Sequence, residues 1–221
     1  VEIHKPKAAH SWREFLIEIG TIVCGIVIAL GGEQVVEMLH RTGEVREARE
    51  ALKAEIGNDV DILKFGLEET KCLLPQASAF AAWTRGGGKP PPFRSLLNGF
   101  QVGTWDTVKS NAIPLMPLRE RLAITDLYNT LANAQKIVDL QRSSAIVLIG
   151  ADQRSKLSEV DAGRVLDAVA VQYAMANFYK ANARGAMKAA ADFGVRSSSL
   201  DARSRLVLNW ECGHGDAPPI P

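Results

Sequence analysis

The chain has 221 residues, a formal net charge of +1, 47% hydrophobic and 23% charged residues. That length is enough for one domain with a real core plus an appendage. The composition excludes wholesale disorder and a polytopic membrane protein, and the scattered positives, with no basic stripe or run, exclude a nucleic-acid partner.

The segment from Ser11 to Glu33 carries the most information. Ile19 to Gly32 holds no charge, but its 14 residues reach only about 21 Å, short of a hydrocarbon core of roughly 30 Å. Phe15, Leu16 and Ile17 extend the run upstream, and Val35, Val36, Met38 and Leu39 extend it downstream. A helix over 15–39 is about 37 Å long, enough to span a bilayer with some tilt. Trp12 and Arg13 then sit at one interface, where an amphipathic ring and a snorkelling cation are favoured.

Two other readings pass part of the same test. Lys5, Lys7 and Arg13 make a basic n-region and Ala29-Leu30-Gly31 resembles a cleavage site, as in a secretory signal. Against cleavage, Glu14 and Glu18 put acid at the start of the apolar run, and helical patterning continues past the cleavage point. The buried core helix of a soluble protein is the third reading. The anchor is preferred. His4, Lys5, Lys7, His10 and Arg13 on one side and His40, Arg41, Arg46 and Arg49 on the other give no decisive charge asymmetry. A short basic arm before the first apolar segment favours a cytoplasmic N-terminus in a bacterial inner membrane, with the C-terminal domain in the periplasm.

At 100° per residue, Glu14, Glu18, Thr21, Gly25, Ala29 and Gly32 share about one third of the helix circumference, opposite Leu16, Ile19, Val23, Ile26, Val27 and Leu30. One face is small and polar, the other bulky and aliphatic. Gly25-x-x-x-Ala29 lets a second helix approach closely. Glu18, Thr21, Gly25, Ala29 and Gly32 are therefore a candidate docking face for another membrane subunit or for a second copy. The alternative is that the glutamates sit among headgroups and the glycines are incidental.

Beyond the apolar run the pattern is helical. Val45, Ala48, Leu52, Ile56, Val60, Leu63 and Leu67 recur at helical spacing, with a break expected near Thr42-Gly43 and a kink or end at Pro75. Arg85-Gly-Gly-Gly-Lys-Pro-Pro-Pro92 lacks the spacing and the Ser or Thr of a phosphate loop and reads as a connector. A short element around Thr104–Asn111 precedes a long helix through Leu118, Leu122, Leu127, Leu131, Ile137 and Leu140. Another runs from about Glu159 to Phe193, with Val165, Leu166, Val169, Tyr173, Ala176 and Tyr179 on one side. Ser158-x-x-Asp161 caps it and Gly194 ends it. A last helix covers about Leu200–Trp210. The expected fold is all-α: a single N-terminal transmembrane helix followed by an antiparallel helical bundle. Its divisions are an arm (1–14), the span (15–39), a membrane-proximal helix (40–84), a Gly/Pro-rich loop region (85–103), the bundle (104–211) and a tail (212–221).

No catalytic, cofactor or metal signature is present. Histidines stand only at 4, 10, 40 and 214, so the commonest general base and metal ligand is missing between 40 and 214. Cys212-Gly213-His214 lacks the paired spacing of a zinc site. Glu68-Glu69 reads as a solvated pair, and Tyr128, Tyr173, Phe178 and Tyr179 read as core. Cys72 and Cys212, placed in an oxidising compartment, are either a long-range disulfide or two unpaired thiols.

Two stretches together resemble an uncharacterised bacterial family of single-pass membrane proteins. They are Trp12-Arg-Glu-Phe-Leu-x-Glu-Ile-x-x-Ile-Val-x-Gly-x-x-Ile-Ala-Leu30 and Thr104-Trp105-Asp-Thr-Val-Lys109-Ser110. The resemblance covers about a quarter of the chain. It implies one N-terminal membrane helix, a helical extracytoplasmic domain and a later Tyr-bearing helix, for which Tyr128 is the candidate; it implies no activity. The leading functional expectation is a non-enzymatic accessory or scaffold subunit, bound to the lipid bilayer and docking through its membrane helix and periplasmic domain. The alternative is a bundle that senses a small ligand and acts through a partner, since the short arm before Trp12 has no room for an output module.

Overall fold

A computed structural model describes residues 11–95, 99–154, 156–196 and 199–214. Among these residues there is no strand. Helix α1 covers Trp12–Gly86, α2 Gly103–Val108, α3 Leu118–Asp152, α4 Glu159–Asp192 and α5 Ala202–Glu211, with a 3-10 turn at Ile113–Leu115. The fold is all-α. The chain divides into a unit ending at Glu47 and a unit beginning at Ala48, and α1 contributes residues to each.

In the first unit, α1 starts where Ser11 Oγ accepts the Glu14 amide at 3.3 Å, satisfying one of the free donors at a helix start. It is the one helix among the described residues long and apolar enough to cross a membrane, and none of its most apolar window is buried. The expected break at Thr42-Gly43 does not occur. Glu37 pairs with Arg41 and His40 with Glu44, each four residues apart, and the Thr42 hydroxyl donates to Met38 O at 2.7 Å. Pairs at that spacing support exposed helix and offset the cost of one glycine.

In the second unit, α1 from Ala48 onward, α3 and α4 enclose the core. Leu52, Ile56, Leu63, Leu73, Ala77 and Phe80 of α1 are fully covered. Gln172 of α4 donates to Gln141 O and Ser144 Oγ of α3, both at 2.8 Å, while Val165 shares a core cluster with Ala151. Residue numbers fall along α4 as they rise along α3, so the two helices are antiparallel. The same holds for α4 against α1: the Tyr179 hydroxyl lies 3.4 Å from Leu63 O and that of Tyr173 reaches Leu74 O.

Pro75 neither ends the helix nor stops the packing, since α1 runs through it to Gly86. The lost hydrogen bond and ring clash cost about 3 kcal/mol in an isolated helix. Here Leu73, Ala77 and Phe80 are buried on either side and offset that cost. The helix then closes on Gly87, whose φ of 69° is open to glycine, with its amide on Trp83 O at 2.8 Å. The following segment is anchored by buried Phe93, edge-on to Phe80 at 5.9 Å. In α4, Ser158 Oγ accepts the Asp161 amide at 3.1 Å, and Gly194 at φ 89° follows its end.

Several side chains differ from their expected places. Leu118, Leu122 and Leu140 are exposed because they lie on the side of α3 opposite Ile124, Leu131 and Val138. Leu166, Tyr173 and Phe178 are also exposed. Glu69 is buried at 1% exposure rather than solvated, and accepts from Ser95 Oγ at 2.9 Å.

Gly66 marks the tightest contact between α1 and α4. A Cβ built there would stand 2.6 Å from Tyr179 Cζ and 2.8 Å from its Cε1, so the buried tyrosine ring fits only against glycine. At Gly57 an added Cβ meets only Val195 Cγ1 at 3.9 Å, an ordinary contact. Gly66→Ala is therefore expected to destabilise the protein by about 1–3 kcal/mol. Gly57→Ala is expected to stabilise it by about 0.5–1 kcal/mol through helix propensity. Urea denaturation of the two variants, followed by circular dichroism, distinguishes these opposite signs.

Candidate functional site

The least ordinary cluster in the second unit is a pair of carboxylates one turn apart on α1. Glu55 is 7% exposed and Asp59 0%, and both lie within the apolar stripe that builds the core. Burying a carboxylate is costly unless its oxygens are hydrogen-bonded. Glu55 meets that requirement fully. Its Oε2 accepts the Thr104 amide at 2.6 Å, and its Oε1 accepts the Trp105 amide at 3.1 Å and the Tyr128 hydroxyl at 2.7 Å.

These contacts explain why α2 forms. Val102 precedes it and offers no side-chain cap, so the free amides at the start of α2 need an acceptor from elsewhere. Glu55 supplies it across space, with the negative charge at the helix end where it is favoured. Trp105 then stacks on Tyr128, with ring centroids 4.6 Å apart and an interplanar angle of 12°. Burial pushes the Tyr128 hydroxyl up, reinforced by its bond to Glu55 and by the charges of Glu55 and Asp59, so it stays a donor.

Asp59 is less well provided for. Its Oδ1 accepts the Gln101 amide at 2.8 Å, but its Oδ2 is buried without a hydrogen-bond partner. Burial pushes its carboxyl up to about 7; the Gln101 amide opposes this and the Glu55 charge adds to it. No Lys, Arg or His pairs with either carboxylate among the described residues. The guanidinium of Arg49, six residues before Glu55 on α1, is bound to Glu120 through Nε to Oε1 at 2.6 Å and Nη2 to Oε2 at 2.8 Å. The chemistry available here is proton uptake and amide binding.

The sequence-predicted residues fall in two other places. Glu18, Thr21, Gly25, Ala29 and Gly32 are all exposed on α1 in the first unit. A Cβ added at Gly25 or Gly32 meets nothing, and the Thr21 hydroxyl is turned back onto Ile17 O at 2.9 Å. Cys72 and Cys212 are joined as a disulfide, with Cα atoms 5.0 Å apart, in the second unit. Around it Gln76 Nε2 donates to Glu211 O at 2.6 Å, and Arg94 Nη1 donates to Trp210 O at 2.9 Å while its guanidinium lies 5.5 Å from the Trp210 ring centroid. The end of α5 is thus fixed to α1 by a covalent bond and the Glu211 carbonyl, and to the segment after α1 by the Trp210 carbonyl. Among the described residues no group of three or more His, Cys, Asp or Glu has metal-binding geometry.

Replacing Glu55 by Ala removes the acceptor for two amides and one buried hydroxyl. The expected loss is about 3 kcal/mol of stability, measured by urea denaturation, with Glu55→Gln losing less because its amide oxygen still accepts. Comparison with protein-family models, with curated proteins and with solved structures gave no match.

Proposed function

We propose that this chain is a membrane-anchored interaction protein without enzymatic activity, an accessory or scaffold subunit of a larger bacterial inner-membrane complex. Residues 15–39 span the bilayer, the N-terminus is cytoplasmic and the unit from Ala48 is periplasmic. The observation that carries this reading is the apolar surface of α1. Phe15, Leu16, Ile17, Ile19, Ile22, Val23, Ile26, Val27, Ile28 and Leu30 are each at least 41% exposed, with Val35, Val36, Met38 and Leu39 following. A contiguous apolar surface of that kind around most of a helix is unstable in water and requires lipid or another protein.

The alternatives fare less well on physical grounds. A soluble core helix would be buried on most of its surface, whereas the apolar window here is 0% buried. A cleaved signal would carry Glu14 and Glu18 at the start of its apolar run, where such signals rarely hold acid. The Cys72–Cys212 bond favours an oxidising compartment for the second unit. The open surroundings of Gly25 and Gly32 leave room for a second helix at close range.

A smaller observation favours the sensing alternative. A cleft of about 400 Å³ lies beside the disulfide, lined by Pro75, Gln76, Pro91, Pro92, Arg94 and Glu211, a volume in the range of small-molecule sites. The two readings separate on purification in mild detergent. Stoichiometric larger subunits, lost on Gly25→Leu or Ala29→Leu, support docking through the membrane helix. Assembly unchanged by both substitutions overturns it, and a monomer carrying a small molecule supports sensing.

A further inference from the structure

We infer that residues 99–108 form a pH-sensitive strap, closed over α1 by the Glu55 carboxylate and the protonated Asp59 carboxyl and released as Asp59 loses its proton. Three backbone amides of this one segment, those of Gln101, Thr104 and Trp105, end on these two carboxylates. Little else holds it. No residue of α2 is fully buried, and Gln101, Val102, Gly103, Asp106 and Thr107 are exposed. Among the described residues the further ties are the Phe100 amide on Gln135 Oε1 at 2.9 Å, the Trp105–Tyr128 stack and the half-buried Phe100 and Val108 side chains. Segments with few buried contacts open locally at small free-energy cost while the core stays folded.

Asp59 is the group that couples this opening to protons. Closed, it is wholly buried with Oδ2 unpartnered, and its proton is the only compensation that oxygen has. The titratable groups facing it are Glu55 on its own helix and Tyr128 on α3, neither of which supplies positive charge. The strap contributes only the Gln101 amide there, because Asp106 and Lys109 pair with each other at 2.6 Å on its outer side. Opening lets water reach both oxygens and returns Asp59 to the ordinary carboxylate range. Closure is then fully favoured below about pH 4 and weakens as pH rises. The loss is complete once pH passes the closed-state value of about 7.

The test is amide exchange of the full chain in detergent micelles from pH 5 to 8.5, corrected for the intrinsic pH dependence of exchange. Protection at Gln101, Thr104 and Trp105 is expected to fall at least tenfold between pH 5 and 7 and to level off above. Core amides of α3 and α4 around Gln141 and Gln172 should not follow. In Asp59→Asn, which keeps an acceptor for Gln101 and cannot ionise, the three amides should stay protected throughout. Should that variant not fold, the carbon-13 shift of the Asp59 carboxyl in the unmodified protein replaces it, with a midpoint near 7 expected. Three results overturn the inference: protection flat across the range, core amides losing protection in parallel, or a carboxyl midpoint in the ordinary aspartate range.

Discussion

The constraint on which the rest depends is the unequal coat of a single helix. Along residues 12–39, α1 is apolar around most of its circumference and its side chains are exposed. From Ala48 to Phe80 only one stripe is apolar, and that stripe is buried by α3 and α4. A helix apolar around most of one part and one-sided in another is patterned for two different surroundings, which is what the proposed membrane anchor requires. The preference for a retained anchor follows from this change of pattern within one unbroken element.

Within the second unit the core alone does not specify the path between α1 and α3. Among the described residues of 87–117, α2 has six residues and buries none fully, and the middle of the segment takes its position from acceptors on neighbouring helices. Glu55, Asp59, Glu69 and Gln76 of α1 each receive a donor from this connection, from Thr104, Gln101, Ser95 and Arg94 respectively. Polar groups set into an apolar stripe thus act as addresses for the middle of a connection whose two ends are held by buried Phe93 and by buried Ile113 and Met116. Satisfied buried groups of this kind give register, and the unsatisfied oxygen of Asp59 is where that arrangement is least stable.

Much of the architecture is legible in the residues. The helical periods of α1, α3 and α4, the Ser158 cap and the Gly194 stop all follow from spacing and local chemistry. The site is less legible, although a signal exists. Stepping 100° per residue from Ala48 places Asp59 in the middle of the stripe formed by Leu52, Leu63, Leu73 and Ala77 and Glu55 level with Leu73, where a charge is unexpected. Acid within an apolar stripe marks a buried partner. The same step places Glu69 at its edge, which is why Glu68-Glu69 is misread as a solvated pair when taken as neighbours in sequence. What the stripe does not disclose is the donor. Thr104, Trp105 and Tyr128 lie 49, 50 and 73 residues away from Glu55, and only the fold brings them there. Leu118, Leu122 and Leu140 mislead for a related reason: they share a face of α3, but Ala134 and Ala145 on the other side are small enough to admit a close neighbour and carry the packing.

The membrane span is the claim on which orientation, compartment and docking all rest. Its most direct measurement is protease digestion of sealed native inner membranes, presented as spheroplasts and as inverted vesicles, with alkaline carbonate washing of a separate portion. The expected result is full-length chain retained in the washed membrane, with the unit from Ala48 digested in spheroplasts and protected in inverted vesicles. Chain released by the wash, or recovered in soluble form without residues 15–39, would contradict it.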